Sequence, residues 1–279
     1  VMVRPMHREA HDAELGLLAA WATQGATPSP PIAMPAAATR QVAAWEAFLN
    51  GASLKERITS RYLYEHWFVA HIYCDDLPKS LFFKVVRSRT APGQPIDEIA
   101  SVRPYDDPGA AYWYRLQPIR ESIVHKTHIV YALGPKRLAR LRALFLAGDW
   151  EPTYFPSYAP AQASNPFIAF AEIPPRARYQ YMLDDAQYFV MTFIRGPVCR
   201  GQIAVDVIED RFFVSFLDPD HDLSITNPDF LVKALPELDL PAAHRSELAL
   251  GGLYLEYAAK QRRYLDERSA FYSAADPKN

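Results

Sequence analysis

The sequence predicts an α+β fold that is mainly helical and carries a small antiparallel sheet or hairpins. Apolar residues recur at three- and four-residue spacing in several long segments, as they do on the buried face of an amphipathic helix. Shorter segments rich in aromatic and β-branched residues are separated by Pro-Gly turn chemistry, which is typical of strands. The chain has 279 residues, of which 49% are hydrophobic and 22% charged, so it is long enough to bury a sizeable core.

The predicted helices are recognised by the spacing of their apolar residues and by the residues at their ends. Ser53 and Glu56 form a capping box at the start of one helix, and the aromatic run that follows predicts that it continues to Tyr73. A Pro-Pro pair at 174–175 fits the first turn of another helix, which Gly196 ends. The predicted helices cover residues 9–24, 40–49, 53–73, 136–147, 174–195 and 246–271.

The predicted strands are short. Residues 81–87 and 112–119 are rich in aromatic and β-branched side chains. Residues 201–208 and 212–217 alternate between apolar and polar side chains on either side of Glu209 and Asp210, which predicts a hairpin.

The net charge, the apolar runs and the cysteine spacing exclude several classes of binding partner and site. The formal net charge is −2 and no run is rich in Lys or Arg, so nucleic acid is not an expected partner. No stretch approaches the roughly 18 to 20 consecutive apolar residues of a membrane-spanning helix. The two cysteines, Cys74 and Cys199, lie in no CxxC or CxxCH motif, so they form neither a zinc ribbon nor a covalent haem site.

Histidines are the first candidates for a metal or catalytic site. On one helix His66 and His71 would point about 140° apart, so they would not chelate one metal, although either could join ligands from elsewhere. On a strand, His125 and His128 would point to opposite faces. Hydrogen-bonded core histidines are the alternative interpretation for His66 and His71, and a loop at 125–128 would remove the restriction on the other two.

Other candidates are a cysteine and a pair of carboxylates. Cys199 lies between Arg195 and Arg200, whose charges favour a thiolate that could act as a nucleophile or radical relay; the alternative is a small buried apolar residue. Asp184 and Asp185 could provide an acid or base, although solvated charges on a helix face are the plainer interpretation.

A cluster of arginines among aromatic residues suggests a ligand with an anionic head and an acyl chain. Arginine recognises carboxylates and phosphates, and aromatic rings pack against acyl chains. The same arginines could equally form ion pairs with Asp97, Glu98, Asp106 and Glu121. The cluster comprises Arg87, Arg89, Arg103, Arg115, Arg120, Tyr105, Tyr112, Trp113 and Tyr114.

Several long strings of the sequence resemble a known family. One is Ser60-Arg-Tyr-Leu-Tyr-Glu-His-Trp-Phe-Val-Ala-His, and the others are residues 86–99, 103–109, 123–128, 178–190 and 196–202. The resemblance runs from about residue 41 to residue 220 and is to the bacterial fatty acid cis/trans isomerase family.

The resemblance implies a periplasmic haem protein that converts cis double bonds to trans without ATP or NAD(P)H. Its partners would be membrane phospholipid acyl chains or free unsaturated fatty acids, with peripheral membrane contact through the connection at 150–170, which holds Tyr154, Phe155, Tyr158 and Phe167. The family binds haem c through an N-terminal CxxCH motif. Because that motif does not occur here and the chain begins at Val1, we expect an internal fragment that is inactive without the haem segment.

The resemblance also implies a division of the chain into two domains and a set of site residues. Residues 1–29 would be the closing helix of an upstream cytochrome-c-like module, and residues 30–279 the isomerase core. We expect catalytic roles for His66, Cys199 and Glu65, substrate binding by Arg87, Arg89, Arg103, Tyr105 and Tyr62, and haem-axial ligation, if any, by Met6, His71, His125 or His128. The alternative is a non-catalytic lipid- or partner-binding module attached to a haem protein.

Overall fold

The computed structural model describes residues 8–26, 34–75, 77, 81–120, 123, 127–195, 216–238 and 250–275. The chain divides into two compact units, residues 1–36 and 37–279. In the first unit, helix α1 (Arg8–Thr23) confirms the predicted first helix, and Gly25 follows it with a φ of +89°. The cytochrome-c-like character of residues 1–29 stays a prediction.

The second unit is built from helices around a four-stranded sheet. Its helices and strands are α2 (Ala36–Leu49), α3 (Leu54–Trp67), β1 (Ala70–Cys74), β2 (Phe83–Ser88), β3 (Trp113–Pro118), β4 (Ile129–Leu133), α4 (Pro135–Phe145), α5 (Pro160–Ala163), α6 (Pro166–Ala169), α7 (Pro175–Asp184), α8 (Ala186–Arg195), α9 (Leu223–Thr226), α10 (Pro228–Ala234), a 3₁₀ turn (Leu235–Glu237) and α11 (Leu250–Ala275). The predicted α+β class, mainly helical, is therefore confirmed.

The sheet is mixed and has the strand order β3-β2-β1-β4. β2 and β3 lie in the two segments predicted as strands and pair antiparallel, as expected of the small antiparallel sheet. β1 and β4 lie outside the predicted strands; β1 pairs antiparallel to β2, and β4 pairs parallel to β1. The predicted hairpin at 201–217 falls almost wholly outside the described residues.

The aromatic run after the capping box does not stay helical to Tyr73, so that prediction is wrong. α3 ends at Trp67, and β1 begins at Ala70. In β1 the side chains of Ala70, Ile72 and Cys74 are buried in strict alternation, which places all three on one face of the sheet. Pairing with β2 and β4 thus overrides the helical spacing, and His71 lies on a strand.

The long helix predicted at 174–195 is also interrupted. α7 ends at Asp184, and Asp185 leaves the helical conformation with φ −120° and ψ 26° before α8 begins. The break turns the Asp185 side chain into the protein, where it is 7% exposed.

Large aromatic and aliphatic side chains fill the space between α2, α3, α7 and the sheet. Trp45 and Trp67 meet edge to face with ring centroids 6.0 Å apart, and both are fully buried. Ile72, Phe83 and Tyr181 are buried in the same core. Each such side chain contributes about 1.5 to 3 kcal/mol by leaving water, so this core is the main source of stability.

A buried ion pair joins α2 to the sheet. Glu46 accepts hydrogen bonds from Arg115 Nε and from the Leu116 backbone N–H, both at 3.0 Å. Arg115 also donates to the carbonyls of Ala91 and Gln94, so it orders the loop after β2 as well. The ion-pair interpretation of the arginine cluster is therefore confirmed for Arg115, but its partner is Glu46 and comes from a different part of the chain.

Replacing Glu46 with alanine should destabilise the fold strongly. The substitution leaves the Arg115 charge buried without its carboxylate, and breaking a buried pair in this way costs roughly 3 to 5 kcal/mol in the free energy of unfolding. Urea denaturation measures it. Glu151→Ala is the control, because Glu151 pairs with Lys55 at the surface and should have little effect. Equal effects of the two substitutions would contradict the structural role of Glu46.

Candidate functional site

α3 carries many of the candidate side chains and is surrounded by protein. Its capping box is present, with Ser53 Oγ accepting from the Glu56 N–H and the Glu56 carboxylate accepting from the Ser53 N–H. Residues 58–64 of the helix are all buried. Polar groups at these positions must therefore find partners inside the protein.

Arg61 is fully buried on α3 and is held on three sides. Its Nε donates to Glu65 at 2.8 Å, its Nη1 donates to the Pro156 carbonyl at 2.6 Å, and its guanidinium lies 3.8 Å from the centre of the Tyr158 ring. Burial raises the pKa of Glu65, and the neighbouring Arg61 charge opposes that effect. Glu65, predicted to be catalytic, is thus bonded to a structural arginine.

Arg87 is also buried and binds a loop of the protein. Its Nη1 donates to the Asp106 carbonyl at 2.6 Å and its Nη2 to Ser101 Oγ at 2.7 Å. The guanidinium lies over the Tyr64 ring, 5.0 Å from its centre. In the structure Arg87 therefore organises residues 101–106, and its predicted contact with substrate stays a prediction.

Tyrosine hydroxyls form a small network beside these two arginines. Tyr112 and Tyr158 share a hydrogen bond of 2.7 Å between their hydroxyls, and Tyr114 lies 3.5 Å from Tyr112. Burial raises the pKa of Tyr114 and of Tyr158, so both stay protonated. Tyr105 and Tyr158 line an adjoining cleft of about 500 Å³.

His66 belongs to a group of packed aromatic rings that we call the His66 cluster, in which it contacts Tyr62, Tyr181 and Phe189. Its Nδ1 donates to the Tyr62 carbonyl at 2.7 Å, since a carbonyl can only accept, which leaves the lone pair on Nε2. Burial lowers the pKa of His66 to about 4, so the ring is neutral at neutral pH. The other members of the cluster are Tyr62, Phe145, Phe170, Tyr181 and Phe189.

A cleft of about 490 Å³ lies between β4 and α8, and we call it the β4–α8 cleft. Its lining includes Ile129 and Val130 from the sheet and Tyr188 and Met191 from the helix. The Tyr188 hydroxyl donates to the His66 carbonyl at 2.7 Å, so the wall of the cleft is bonded to the end of α3. The volume is in the range of ligand sites.

The charged residues of this cleft are paired. Asp185 accepts from the Tyr131 hydroxyl and from Arg137, each at 2.5 Å. Burial raises the pKa of Asp185, and these two partners oppose that effect. Asp184 binds Arg140 at 2.6 Å. The interpretation of Asp185 as a solvated surface charge is wrong, because the helix break buries it.

The structure brings together two of the predicted metal ligands. His71 Nδ1 and His128 Nδ1 are 2.7 Å apart, which makes one of them the donor and the other the acceptor. In a neutral pair, only the donor ring then has an unprotonated Nε2. Within the described residues no group of three or more His, Cys, Asp or Glu side chains is arranged to hold a metal ion.

The remaining predicted residues are scattered. Arg89 is exposed and pairs with Asp97 at 3.1 Å, and Arg103 is exposed. Neither of these arginines enters the His66 cluster or the lining of the β4–α8 cleft. Met6, His125 and Cys199 lie outside the described residues, so their roles stay predictions.

Sequence reasoning missed several polar residues that the structure places in these clusters. Arg61 had a usable signal, because Glu65 follows it at the i,i+4 spacing of a helical ion pair. No sequence signal identified Tyr131 and Arg137, because their hydrogen bond and ion pair with Asp185 depend on strand β4, which was not predicted.

The comparison with protein families decides the affiliation of the chain. A model of the family described as fatty acid cis/trans isomerase matches residues 7–279. The chain belongs to the fatty acid cis/trans isomerase family. None of the curated proteins or solved structures compared with it matches. The isomerase match includes α3, the β4–α8 cleft and the His66 cluster, so each belongs to the part of the chain that defines the family.

The neutral state of His66 makes the stability of this isomerase depend on pH. The unfolded chain protonates His66 near its ordinary pKa of 6.5, whereas the folded chain does so only at about 4. Between these values the unfolded state binds more protons, so the free energy of unfolding falls as the pH drops from 6.5 towards 4.

We therefore expect His66→Gln to lose that part of the pH dependence. Urea denaturation of both proteins across this pH range measures the difference between them, and the same measurement above pH 7 gives the effect of the substitution that does not depend on protonation. Curves that stay parallel down to about pH 4 would contradict a buried, neutral His66.

Proposed function

We propose that this chain binds and positions the acyl chain in a haem-dependent isomerase that converts cis double bonds of membrane phospholipids to trans. The observation that carries the proposal is the β4–α8 cleft, which combines aliphatic and aromatic walls with charges that are already paired. A hydrocarbon chain meets no unpaired charge from Arg137, Asp184 or Asp185 there. The cleft therefore suits the acyl part of the substrate.

The chain's contribution to the reaction is positioning. Trans is the isomer of lower free energy, so ATP and NAD(P)H are not required, and the protein must hold the double bond in place while its π bond is temporarily lost. Tyr131 and Tyr188 meet with ring centroids 4.8 Å apart at the cleft wall, and the Asp185 carboxylate fixes the Tyr131 hydroxyl. These contacts give the acyl chain rigid aromatic surfaces to pack against.

Haem dependence is the part of the proposal that comes from the family. The cysteines of this chain lie in no CxxCH motif, so a covalent haem would be attached to residues beyond these 279. Of the described residues, His71 or His128 would be the side chain that holds the haem iron, because imidazole is a haem ligand and His128 lines the cleft. When bound, haem would withdraw electron density from the double bond.

Contact with the membrane and a periplasmic location are further parts of the proposal. Within the described residues no helix is both long enough and apolar enough to span a bilayer. In the connection predicted to touch the membrane, Tyr154 and Ile168 are exposed, whereas Phe155, Tyr158 and Phe167 are partly buried. Because the other three side chains are partly buried, the apolar surface that this connection exposes is smaller than the sequence analysis predicts.

Filling the cleft tests the proposal. Ala132→Phe places a ring in the cleft from β4 and should lower the rate of trans product formation by about tenfold or more, because the double bond would be displaced. Gas chromatography of acyl chains, after haem-loaded protein is incubated with cis-unsaturated phospholipid vesicles, measures the rate. Met191→Trp fills the cleft from α8 and serves if the first variant folds poorly.

The control adds the same ring elsewhere. Val232→Phe lies on α10, where Val232 is 75% exposed, and should leave turnover unchanged. Turnover at the wild-type rate in both cleft variants would contradict the proposed acyl site and would favour the alternative of a non-catalytic lipid- or partner-binding module. Trans product from protein without haem would contradict haem dependence alone.

A further inference from the structure

We infer that Arg178 is the anchor for the anionic head of the acyl substrate, a carboxylate or a phosphate. Nothing in the family match assigns a role to this residue. The inference rests on the proposed function, since it names the group that holds the head while the β4–α8 cleft holds the chain.

Arg178 is a largely buried arginine without an acidic partner. It lies on α7, its Nε is buried, and this nitrogen has no hydrogen-bond partner. No ion pair of Arg178 occurs in the part of the chain that the structure describes. Burial lowers the pKa of Arg178, which shows that its surroundings disfavour the charge. An unpaired buried charge costs stability, so folding alone does not explain an arginine at this position.

The other buried arginines show what a structural role looks like in this protein. Arg61 pairs with Glu65 and Arg115 with Glu46, while Arg87 is bonded to a backbone carbonyl and a serine. Each of these three is held by acceptors from the chain itself. Arg87 Nε is likewise buried without a partner, but both Nη atoms of Arg87 donate to the chain, whereas Arg178 has no hydrogen bond to any described residue.

A second unpaired donor lies one turn further along the same helix. The hydroxyl of Tyr181 is fully buried and has no hydrogen-bond partner. Arg178 and Tyr181 are three residues apart, so they lie on one face of α7. Burial raises the pKa of Tyr181, so its hydroxyl remains a donor. Each of the two is a donor to which the described residues supply no acceptor.

The acidic residues nearest to Arg178 in the sequence are occupied. Glu172 accepts from Thr153 and Tyr154, Asp184 binds Arg140, and Asp185 binds Arg137. Each is therefore committed to another partner. A ligand oxyanion is the acceptor that fits this position.

The position of Arg178 also suits a molecule that reaches the cleft. Asp185, which lines the β4–α8 cleft, is seven residues further on, which is two helical turns and about 10 Å along the axis. The Arg178 charge also acts on two residues of the His66 cluster: it opposes the rise that burial causes in the pKa of Tyr62 and adds to the fall that burial causes in the pKa of His66. The distance from Arg178 to the cleft is shorter than a fatty acyl chain, so one molecule can place its head at Arg178 and its chain in the cleft.

Binding of oleate and of its neutral methyl ester to the purified chain tests the inference. Calorimetric titration should show that wild type binds oleate more tightly than methyl oleate. Arg178→Met should weaken oleate binding by about tenfold or more and leave methyl oleate binding unchanged, because it removes a charge-assisted contact with the head alone. Arg178→Lys, which keeps the charge, should recover part of the oleate affinity.

Two controls separate this role from a structural one. Arg176→Met removes an exposed arginine that pairs with Asp220 and should bind oleate like wild type. Without ligand, Arg178→Met should unfold at or above the wild-type temperature, because it removes a buried, unpaired charge. A lower unfolding temperature together with unchanged oleate binding would show that Arg178 is structural.

The outcomes distinguish the two proposals. Equal oleate affinity in wild type and Arg178→Met, with methyl oleate still bound, would overturn the role of Arg178 and leave the acyl cleft intact. Wild type that binds neither compound, nor cis-unsaturated phosphatidylglycerol vesicles, would overturn both. Binding to those vesicles that depends on Arg178, without binding of oleate, would support the inference with phosphate as the head.

Discussion

Burial of α3 on nearly all sides is the constraint on which the rest of this structure depends. A helix enclosed by protein has no water to satisfy its polar side chains, so each one must be met by another element. Arg61 draws in the backbone at 156–157, Glu65 pairs with it, and His66 turns its Nδ1 back to the carbonyl of Tyr62. Together with the bond from the Tyr188 hydroxyl to the His66 carbonyl, these internal bonds fix where the connection at 150–170 and α8 pack against α3, and α8 forms one wall of the cleft.

The break between α7 and α8 is the second organising feature. Had the helix continued through Asp185, this carboxylate would have lain on a regular turn, and Tyr131 and Arg137 would have lacked their shared partner. The break lets α8 follow β4 and brings Tyr188 to the backbone of His66. One residue outside the helical conformation thus connects the edge of the sheet with the buried helix.

Much of the fold was predictable, because local signals decide it. The capping box at Ser53, the Pro-Pro start of α7 and the aromatic strands β2 and β3 act over a few residues, and the structure contains them all. The site was less predictable, because its contacts join residues far apart in the chain. Glu46 meets Arg115 across 69 positions, and His71 meets His128 across 57. The aromatic spacing after residue 67 fits both a helix and a strand, and pairing with β2 and β4 decides between them.

The place of β4 at the edge of the sheet gives the cleft an unusual wall. An edge strand directs half of its main-chain N–H and C=O groups away from the sheet, so part of the surface beside Val130 and Ala132 is peptide and not hydrocarbon. A lipid tail lying there covers polar backbone, which limits how tightly it is held. The substrate and the product of such an enzyme differ only in the geometry of one bond, so a cleft that binds one tightly also binds the other tightly. Weak binding of the acyl chain is therefore an advantage. A groove that bound the straight product firmly would stall turnover, whereas a partly wet wall lets it leave.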